Sequence, residues 1–405
     1  MTKYEHREIT KVLLDAIDTM PVVVLSGMRQ TGKSTLLLNQ PELKNRKYLN
    51  FDDFNILEAA KRNPEALLDS EQPITIDEAQ KYPEILNLIK REVDKNRKPG
   101  RFLLSGSANF LLLKSISESL AGRAVYYTLT PFTRREISAE IHDEPALIKF
   151  IKTGKFPILN SKSIEWRDVI TGGMPSICLG EVNKPEIWFK GYEQTYLERD
   201  IRNLSQVADL ISFRQLLQLV ALRNGQILKQ SELARDAKLN TVTASRYLAL
   251  MEASFILKRF PPYLGNRSSR LIKSPKIYIS DSGLACYLTG VKSLEQNEPL
   301  RGAMLENYVA QNLEALLSAH YPEARLAYWN IQGRYEVDFV IEIGKETFAI
   351  EVKSASRFHD RDLTGLKAFV DSTPGCRAAI LGYQGSEILK LEKKIWAVPL
   401  SLLLS

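Results

Sequence analysis

Cysteine is scarce: three residues, Cys178, Cys286 and Cys376, in a chain of 405. They form no CxxC pair and no even set. That excludes a disulfide framework or a thiolate zinc site and leaves them as small buried hydrophobes. Four histidines without a repeated spacing exclude a zinc site built from imidazoles. No apolar run approaches the ~18 residues that a membrane-spanning helix needs, so no membrane partner is expected. The first residues, MTKYEHREITK, are charged and hold no apolar signal core, and a cytoplasmic location is expected. Internal repeats and low-complexity tracts are absent as well.

What is there is globular composition, with 44% apolar and 25% charged residues. At roughly 150 residues per domain, the length allows two or three domains. Lys and Arg number 55 against 48 Asp and Glu, a net charge of +7. So small an excess matters only where it clusters.

Over the first third, apolar runs alternate with helical patterns, the mark of a parallel α/β sheet. Strands are expected at Pro21–Gly27, Lys47–Asp53, Pro73–Glu78, Arg101–Gly106 and Ala124–Thr130, with a helix over Tyr82–Asn96. From Pro131 to Leu222 the pattern turns helical around Gly172-Gly173-Met174-Pro175. Residues Asn224 to Gly283 read as short helices and then a β-ribbon. Thr289–Leu300, where apolar periodicity lapses, reads as a linker. Beyond it a helix over Met304–Leu317 precedes further strands.

The first apolar strand runs straight into Gly27-Met28-Arg29-Gln30-Thr31-Gly32-Lys33-Ser34-Thr35, a GxxxxGKS P-loop in its strand–loop–helix setting. Its glycines let the backbone wrap until N–H groups face a nucleotide's phosphates. Gly27, Gln30, Thr31, Gly32, Lys33, Ser34 and Thr35 form the cradle. Lys33 brings a point charge to the β- and γ-phosphates. The Ser34 hydroxyl can ligate Mg²⁺, and the following helix aims its positive end at the same anion. ATP and Mg²⁺ are the implied ligands.

Ile74-Thr75-Ile76-Asp77-Glu78 is an apolar strand ending in two carboxylates, the Walker B arrangement. Asp77 belongs to the Mg²⁺ shell, and Glu78 orients and polarises the attacking water. A Glu after the Asp favours hydrolysis over passive binding. The strand Phe102-Leu103-Leu104-Ser105 continues into Gly106-Ser107-Ala108-Asn109. Ser107 is the residue expected to touch the γ-phosphate or the water. Ser105 and Asn109 are alternatives, and an ordinary strand exit is the competing reading.

With these segments go Ile76-Asp77-Glu78-Ala79-Gln80, Ser119-Leu120-Ala121-Gly122-Arg123, Leu129-Thr130-Pro131-Phe132, Gly172-Gly173-Met174-Pro175, Tyr196-Leu197-Glu198-Arg199-Asp200-Ile201, Lys273-Ser274-Pro275-Lys276 and Asp281-Ser282-Gly283-Leu284. Together they resemble the bacterial and archaeal AAA+ ATPases whose C-terminal half is a domain of unknown function. The resemblance covers nearly the whole chain and implies a ring-type homo-oligomer. It also implies that a neighbour's arginine completes the site: Arg123 is the candidate, with Arg134 and Arg135 as alternatives.

Ser231–Ala237 reads as a short helix with Ser231 as its cap. Lys238-Leu239-Asn240 turns the chain into a second helix, Thr241–Ala253, with apolar positions at Val242, Leu248 and Met251. This is a helix-turn-helix pattern. Phe255–Phe260 and Lys276–Ile279 read as the strands of a ribbon. Between Lys258 and Lys276 lie six basic residues and no acidic one. A winged helix placing Thr241, Thr243 and Arg246 at a DNA groove, and Arg267, Arg270 and Lys273 on phosphates, fits this pattern. A purely structural or partner-docking winged helix fits it too.

Glu336 to Lys353 reads as a hairpin turning at Gly344. By strand alternation Phe339, Ile341, Ile343, Phe348, Ile350 and Val352 form the core face. Asp338, Glu351 and Lys353 share the other. Two converging carboxylates can hold a second divalent cation, and a nearby Lys can position water. This resembles the D…ExK hairpin of restriction-endonuclease-like folds, with Glu306 on the preceding helix as the additional acid. Val337 stands where that family's pattern has Pro. Such a fold can also persist as a binding module without cleavage.

The expected fold is α/β: a P-loop AAA+ core (1–140), a helical lid or linker region (141–222), a winged-helix middle domain (223–290) and a restriction-endonuclease-like α/β domain (296–405). The first functional reading is a Mg²⁺-dependent ATPase acting on DNA as motor or switch. The alternatives are an ATP-gated metal-dependent nuclease and an ATP-controlled protein-assembly switch.

Overall fold

The computed structural model describes residues 4–107, 120–159, 161–197, 209–264, 273–295, 297–331 and 333–405. They fall into two compact units. One comprises Met1–Pro131 with Lys190–Ala208 and Ala249–Ile256; the other comprises Phe132–Phe189, Asp209–Leu248 and Leu257–Ser405.

In the first unit the five expected strands all form: β1 (Val22–Ser26), β2 (Lys47–Asn50), β3 (Ile74–Asp77), β4 (Phe102–Ser105) and β5 (Ala124–Thr128). They make one sheet in the order β2-β3-β4-β1-β5, with every pairing parallel. β1 is buried along its whole length because both faces are covered. Val22 and Val24 join a core with Ile85, Leu86, Ile89 and Val93 of the helix Ile85–Lys95. Val23 and Leu25 alternate to the opposite face, against Leu13, Leu36 and Leu37. This order brings the carboxyl ends of β3, β4 and β1 side by side, where parallel α/β sheets bind ligands.

The second unit opens with helices at Arg134–Ile137, Ala146–Thr153, Trp166–Thr171, Pro175–Cys178 and Pro185–Tyr192, as the helical pattern predicts. It also contains a three-stranded sheet of β6 (Gln226–Ile227), β7 (Leu257–Phe260) and β8 (Lys276–Ile279), with β8 in the middle. Helices Gln230–Asp236 and Thr241–Ala253 lie between β6 and β7 in sequence. Two details differ from expectation. Ser231 lies inside its helix, whose cap position is held by Lys229. Val242 is 78% exposed, and the buried stripe of its helix is Ala244, Tyr247, Leu248 and Met251.

The chain ends in a six-stranded sheet of β9 (Arg325–Ile331), β10 (Tyr335–Ile343), β11 (Glu346–Val352), β12 (Cys376–Tyr383), β13 (Leu389–Lys390) and β14 (Ile395–Pro399), in the order β13-β14-β12-β11-β10-β9. β9, β10 and β11 pair antiparallel, whereas β11, β12 and β14 pair parallel. The helix Arg301–His320 precedes the sheet, and Thr364–Ser372 connects β11 to β12. All three cysteines are free; Cys286 and Cys376 are buried and Cys178 half-buried.

Candidate functional site

The P-loop leaves β1 at Gly27, whose φ of 145° no side chain favours. A Cβ there would lie 2.4 Å from the Leu129 carbonyl oxygen, so only glycine fits. Gln30 and Gly32 are also left-handed. Arg7, 3% exposed, fixes the loop by donating to the Thr31 carbonyl at 2.7 Å and the Thr130 carbonyl at 2.6 Å. The Thr31 hydroxyl donates to the Met28 carbonyl. Lys33 is buried, and its ammonium donates to the carbonyls of Gly27 and Met28, each at 2.9 Å. The loop therefore holds its phosphate-seeking charge in place with its own backbone.

Beside it, the Tyr48 hydroxyl on β2 donates to Asp77 Oδ2 at 2.6 Å. Burial and the Asp77 carboxylate push the Tyr48 phenol far up, so it keeps its proton. One of the two expected Mg²⁺ ligands, Asp77, is thus held by a phenol from the neighbouring strand. Hydroxyl and carboxylate oxygens are the hard donors that Mg²⁺ takes, so Ser34 and Asp77 suit that ion.

Glu78 follows in a left-handed conformation, φ 53°. A side chain there costs of order 1–3 kcal/mol, a strain found most often at functional sites. Burial pushes the Glu78 carboxyl above the ordinary carboxylate range; Lys33 pulls it back and Asp77 adds to the rise. A raised carboxyl is what a base receiving a proton from water needs. Gln80 binds Glu78 Oε2 and also donates to Ser107 Oγ at 2.9 Å. Glu78 and Ser107, from the ends of β3 and β4, are thereby brought into one network. Ser105 Oγ is buried and lacks a hydrogen-bond partner among the described residues; Asn109 lies outside them.

Tyr48, Gln80 and Arg7 escape sequence reasoning. Tyr48 and Arg7 act through partners remote in sequence, as Gln80 does toward Ser107, and only the strand order brings those partners together. Gln80 offered a signal, a polar residue two places past the Walker B glutamate.

Arg123 binds Asp94 Oδ1 at 2.5 Å through Nε and donates to the Ala121 carbonyl. Arg134 and Arg135 are buried. Arg134 reaches Asp168 and the Lys162 carbonyl, and Arg135 the Asp143 carbonyl. Arg123 alone of the three keeps an exposed face to offer.

Two of the later motifs meet in the second unit. Asp281, fully buried, accepts from Gly173 N at 2.7 Å and from Leu284 N at 2.8 Å. A Cβ on Gly173 would lie 2.2 Å from the Phe132 carbonyl oxygen. Their role is close packing.

Thr241 and Arg246 are exposed and Thr243 half-exposed on the second helix of the helix-turn-helix. The basic ribbon is less available than its sequence implies. Lys258 pairs with Glu314 at 2.7 Å, and Lys276 is 2% exposed and ion-paired. Lys273 is exposed; Arg267 and Arg270 lie outside the described residues.

At the hairpin, Asp338, Glu351, Lys353 and Glu306 do converge. Asp338 N donates to Glu351 Oε2 at 3.3 Å, Val352 N to Asp338 Oδ2 at 2.9 Å, and Lys353 Nζ to Glu351 Oε1 at 2.9 Å. Strict alternation fails on β10. Asp338 meets Lys276 of β8 while its neighbour Phe339 packs on Tyr278 of the same strand. A register shift between Val337 and Val340 is the cause, since a bulge turns successive side chains the same way. Both faces of the hairpin are buried, so there is no single core face. Among the described residues, no cluster of His, Cys, Asp and Glu is arranged to hold a metal ion.

Comparison with known proteins agrees with this anatomy. The profile described as "AAA domain" matches residues 19–138. Two profiles described as domains of unknown function, DUF8612 and DUF4143, match residues 166–295 and 301–403. An uncharacterized protein of Mycobacterium tuberculosis is 32% identical over 358 residues, 87% of this chain and 74% of its own. Its Mycobacterium bovis counterpart gives the same figures. The chain belongs to the AAA ATPases that carry a C-terminal domain of unknown function. An uncharacterized protein of Haemophilus influenzae is a more distant relative of this AAA ATPase, 23% identical over 69% of this chain and 72% of its own. Among solved structures, the Walker-type ATPase of Pyrococcus abyssi aligns over 71% of this chain and 96% of its own, with 14% identity and a TM-score of 0.45. No helix among the described residues is long and apolar enough to cross a membrane.

Proposed function

We propose that this AAA ATPase hydrolyses ATP with Mg²⁺ and uses the turnover to act on DNA as a motor or switch. The observation that carries the hydrolytic part is the set of side-chain contacts at the sheet's carboxyl edge, Tyr48–Asp77 and Glu78–Gln80–Ser107. Ser34 and Asp77 would hold Mg²⁺, which would supply charge neutralisation at the phosphates. Lys33 adds its own charge, and Glu78 takes the proton of the attacking water while Gln80 holds its carboxylate in line. Arg123, supplied to a neighbouring copy in a homo-oligomer, stabilises the charge that develops on the transferred phosphoryl group.

The DNA part rests on the helix-turn-helix, which we read as a winged helix offering Thr241, Thr243, Arg246 and Lys273. The test is phosphate release with and without DNA across a salt series. Stimulation that weakens as salt rises supports DNA as the substrate, and its absence favours the protein-assembly alternative. The alternative of an ATP-gated nuclease has Asp338, Glu351 and Lys353 converging, but no cluster among the described residues is arranged to hold its metal. EDTA-sensitive cutting of circular DNA tests it.

A further inference from the structure

The carboxylates that a nuclease-like site would use to hold metal already surround a cation, and it is a side chain. Lys276 Nζ lies 2.8 Å from Glu306 Oε1, 2.9 Å from Glu336 Oε1 and 3.0 Å from Asp338 Oδ1. The Lys276 side chain is 2% exposed. Tyr278, two residues along the same strand and on the same face, donates to Glu306. Lys353 pairs with Glu351 at 2.9 Å. We infer that Lys276 is the resident cation of this cluster, standing where a divalent ion would, so that the chain as folded is closed to metal-dependent cleavage.

Two observations support it. A divalent ion needs about six oxygen ligands at 2.0–2.6 Å, and here the facing oxygens of Glu306 and Asp338 are engaged by the ammonium. The ammonium cannot be withdrawn by rotating a loop. Lys276 is in the central strand of its sheet, paired to Ile227 on β6 and Phe260 on β7. The lysine that sequence counting assigns to a phosphate-binding ribbon is spent inside the protein.

The test is a Mn²⁺ titration by calorimetry on the full chain without nucleotide, comparing wild type, Asp338→Asn, Lys276→Met and Lys276→Met/Asp338→Asn. Wild type and Asp338→Asn are expected to titrate alike. Lys276→Met should gain a Mn²⁺ site at least about tenfold tighter than any wild-type background, and the added Asp338→Asn should abolish it. EDTA-sensitive nicking of circular DNA should appear in Lys276→Met alone. A wild-type Mn²⁺ site that Asp338→Asn removes would overturn the inference, as would a folded Lys276→Met that binds no extra Mn²⁺. Should Lys276→Met not fold, Lys276→Met/Glu306→Gln removes one charge of each sign and is read the same way. ATP turnover reports on the P-loop reading separately, so failure of one leaves the other standing.

Discussion

The Tyr48 hydroxyl donates to Asp77 Oδ2 at 2.6 Å, so a strand residue outside both nucleotide motifs orients the carboxylate proposed to hold Mg²⁺. A hydrogen bond to a charged group is worth about 1.5–3 kcal/mol. Tyr48→Phe should therefore raise the Mg²⁺ concentration needed for half-maximal hydrolysis by about tenfold, with the rate at saturating Mg²⁺ nearly restored. A Mg²⁺ titration at fixed ATP checks this. An unchanged Mg²⁺ requirement would make Tyr48 a packing residue.

Gln80 joins Glu78 to Ser107 and touches no element of the P-loop cradle in the described contacts. Gln80→Ala should lower turnover by about tenfold or more while ATP affinity holds, because it frees the base without touching the phosphates. Single-turnover hydrolysis alongside equilibrium nucleotide binding separates the two effects. Loss of affinity equal to the loss of rate would contradict the positioning role.

Arg123 rests on Asp94 within its own chain. If it serves a neighbour, that contact is a parking place. Arg123→Ala should then cut hydrolysis by about a thousandfold with ATP affinity near normal, whereas Asp94→Ala should leave hydrolysis intact. Wild-type specific activity should rise with protein concentration as copies assemble. A dilute monomer with full activity would rule out an arginine acting in trans.

Asp281 sets a pH dependence of stability. Burial raises its carboxyl to about 6 from an ordinary 3.8, with backbone donors at Gly173, Leu284 and Gly283 partly offsetting the rise. A raised acid binds its proton more tightly in the folded state. Its contribution is therefore greatest below about pH 4 and is lost as pH rises to about 6. The loss is about 3 kcal/mol, from about 1.4 kcal/mol per pKa unit. Asp281→Asn, which keeps an acceptor for only one of Gly173 N and Leu284 N, should lower the melting temperature and flatten its change between those pH values. An identical slope in wild type and variant would contradict the assignment.

The parallel sheet was open to sequence reading because its strands are short apolar runs, β1, β3 and β4 buried on both faces, with Gly27 and Asp77 as sharp chemical endpoints. The network around those endpoints was not. Tyr48 looks like any strand tyrosine until β2 is known to lie beside β3. At the hairpin the carboxylates were legible from strand parity, yet the bulge at Val337–Val340 and the arrival of Lys276 from a separate strand were not. Periodicity registers neither a register shift nor the charge brought by another sheet. The helix Thr241–Ala253 shows the same limit: its ends follow the pattern, but Val242 faces solvent and Ala244 and Tyr247 take the buried stripe.

The central claim is that Glu78 is the base of an ATP-hydrolysing site. Phosphate release by wild type and Glu78→Gln, measured beside ATP binding in Mg²⁺, tests it most directly. The account predicts that the variant binds ATP as wild type does and hydrolyses it at least about a hundredfold more slowly. Wild-type turnover in Glu78→Gln, or loss of ATP binding in step with its rate, would contradict it.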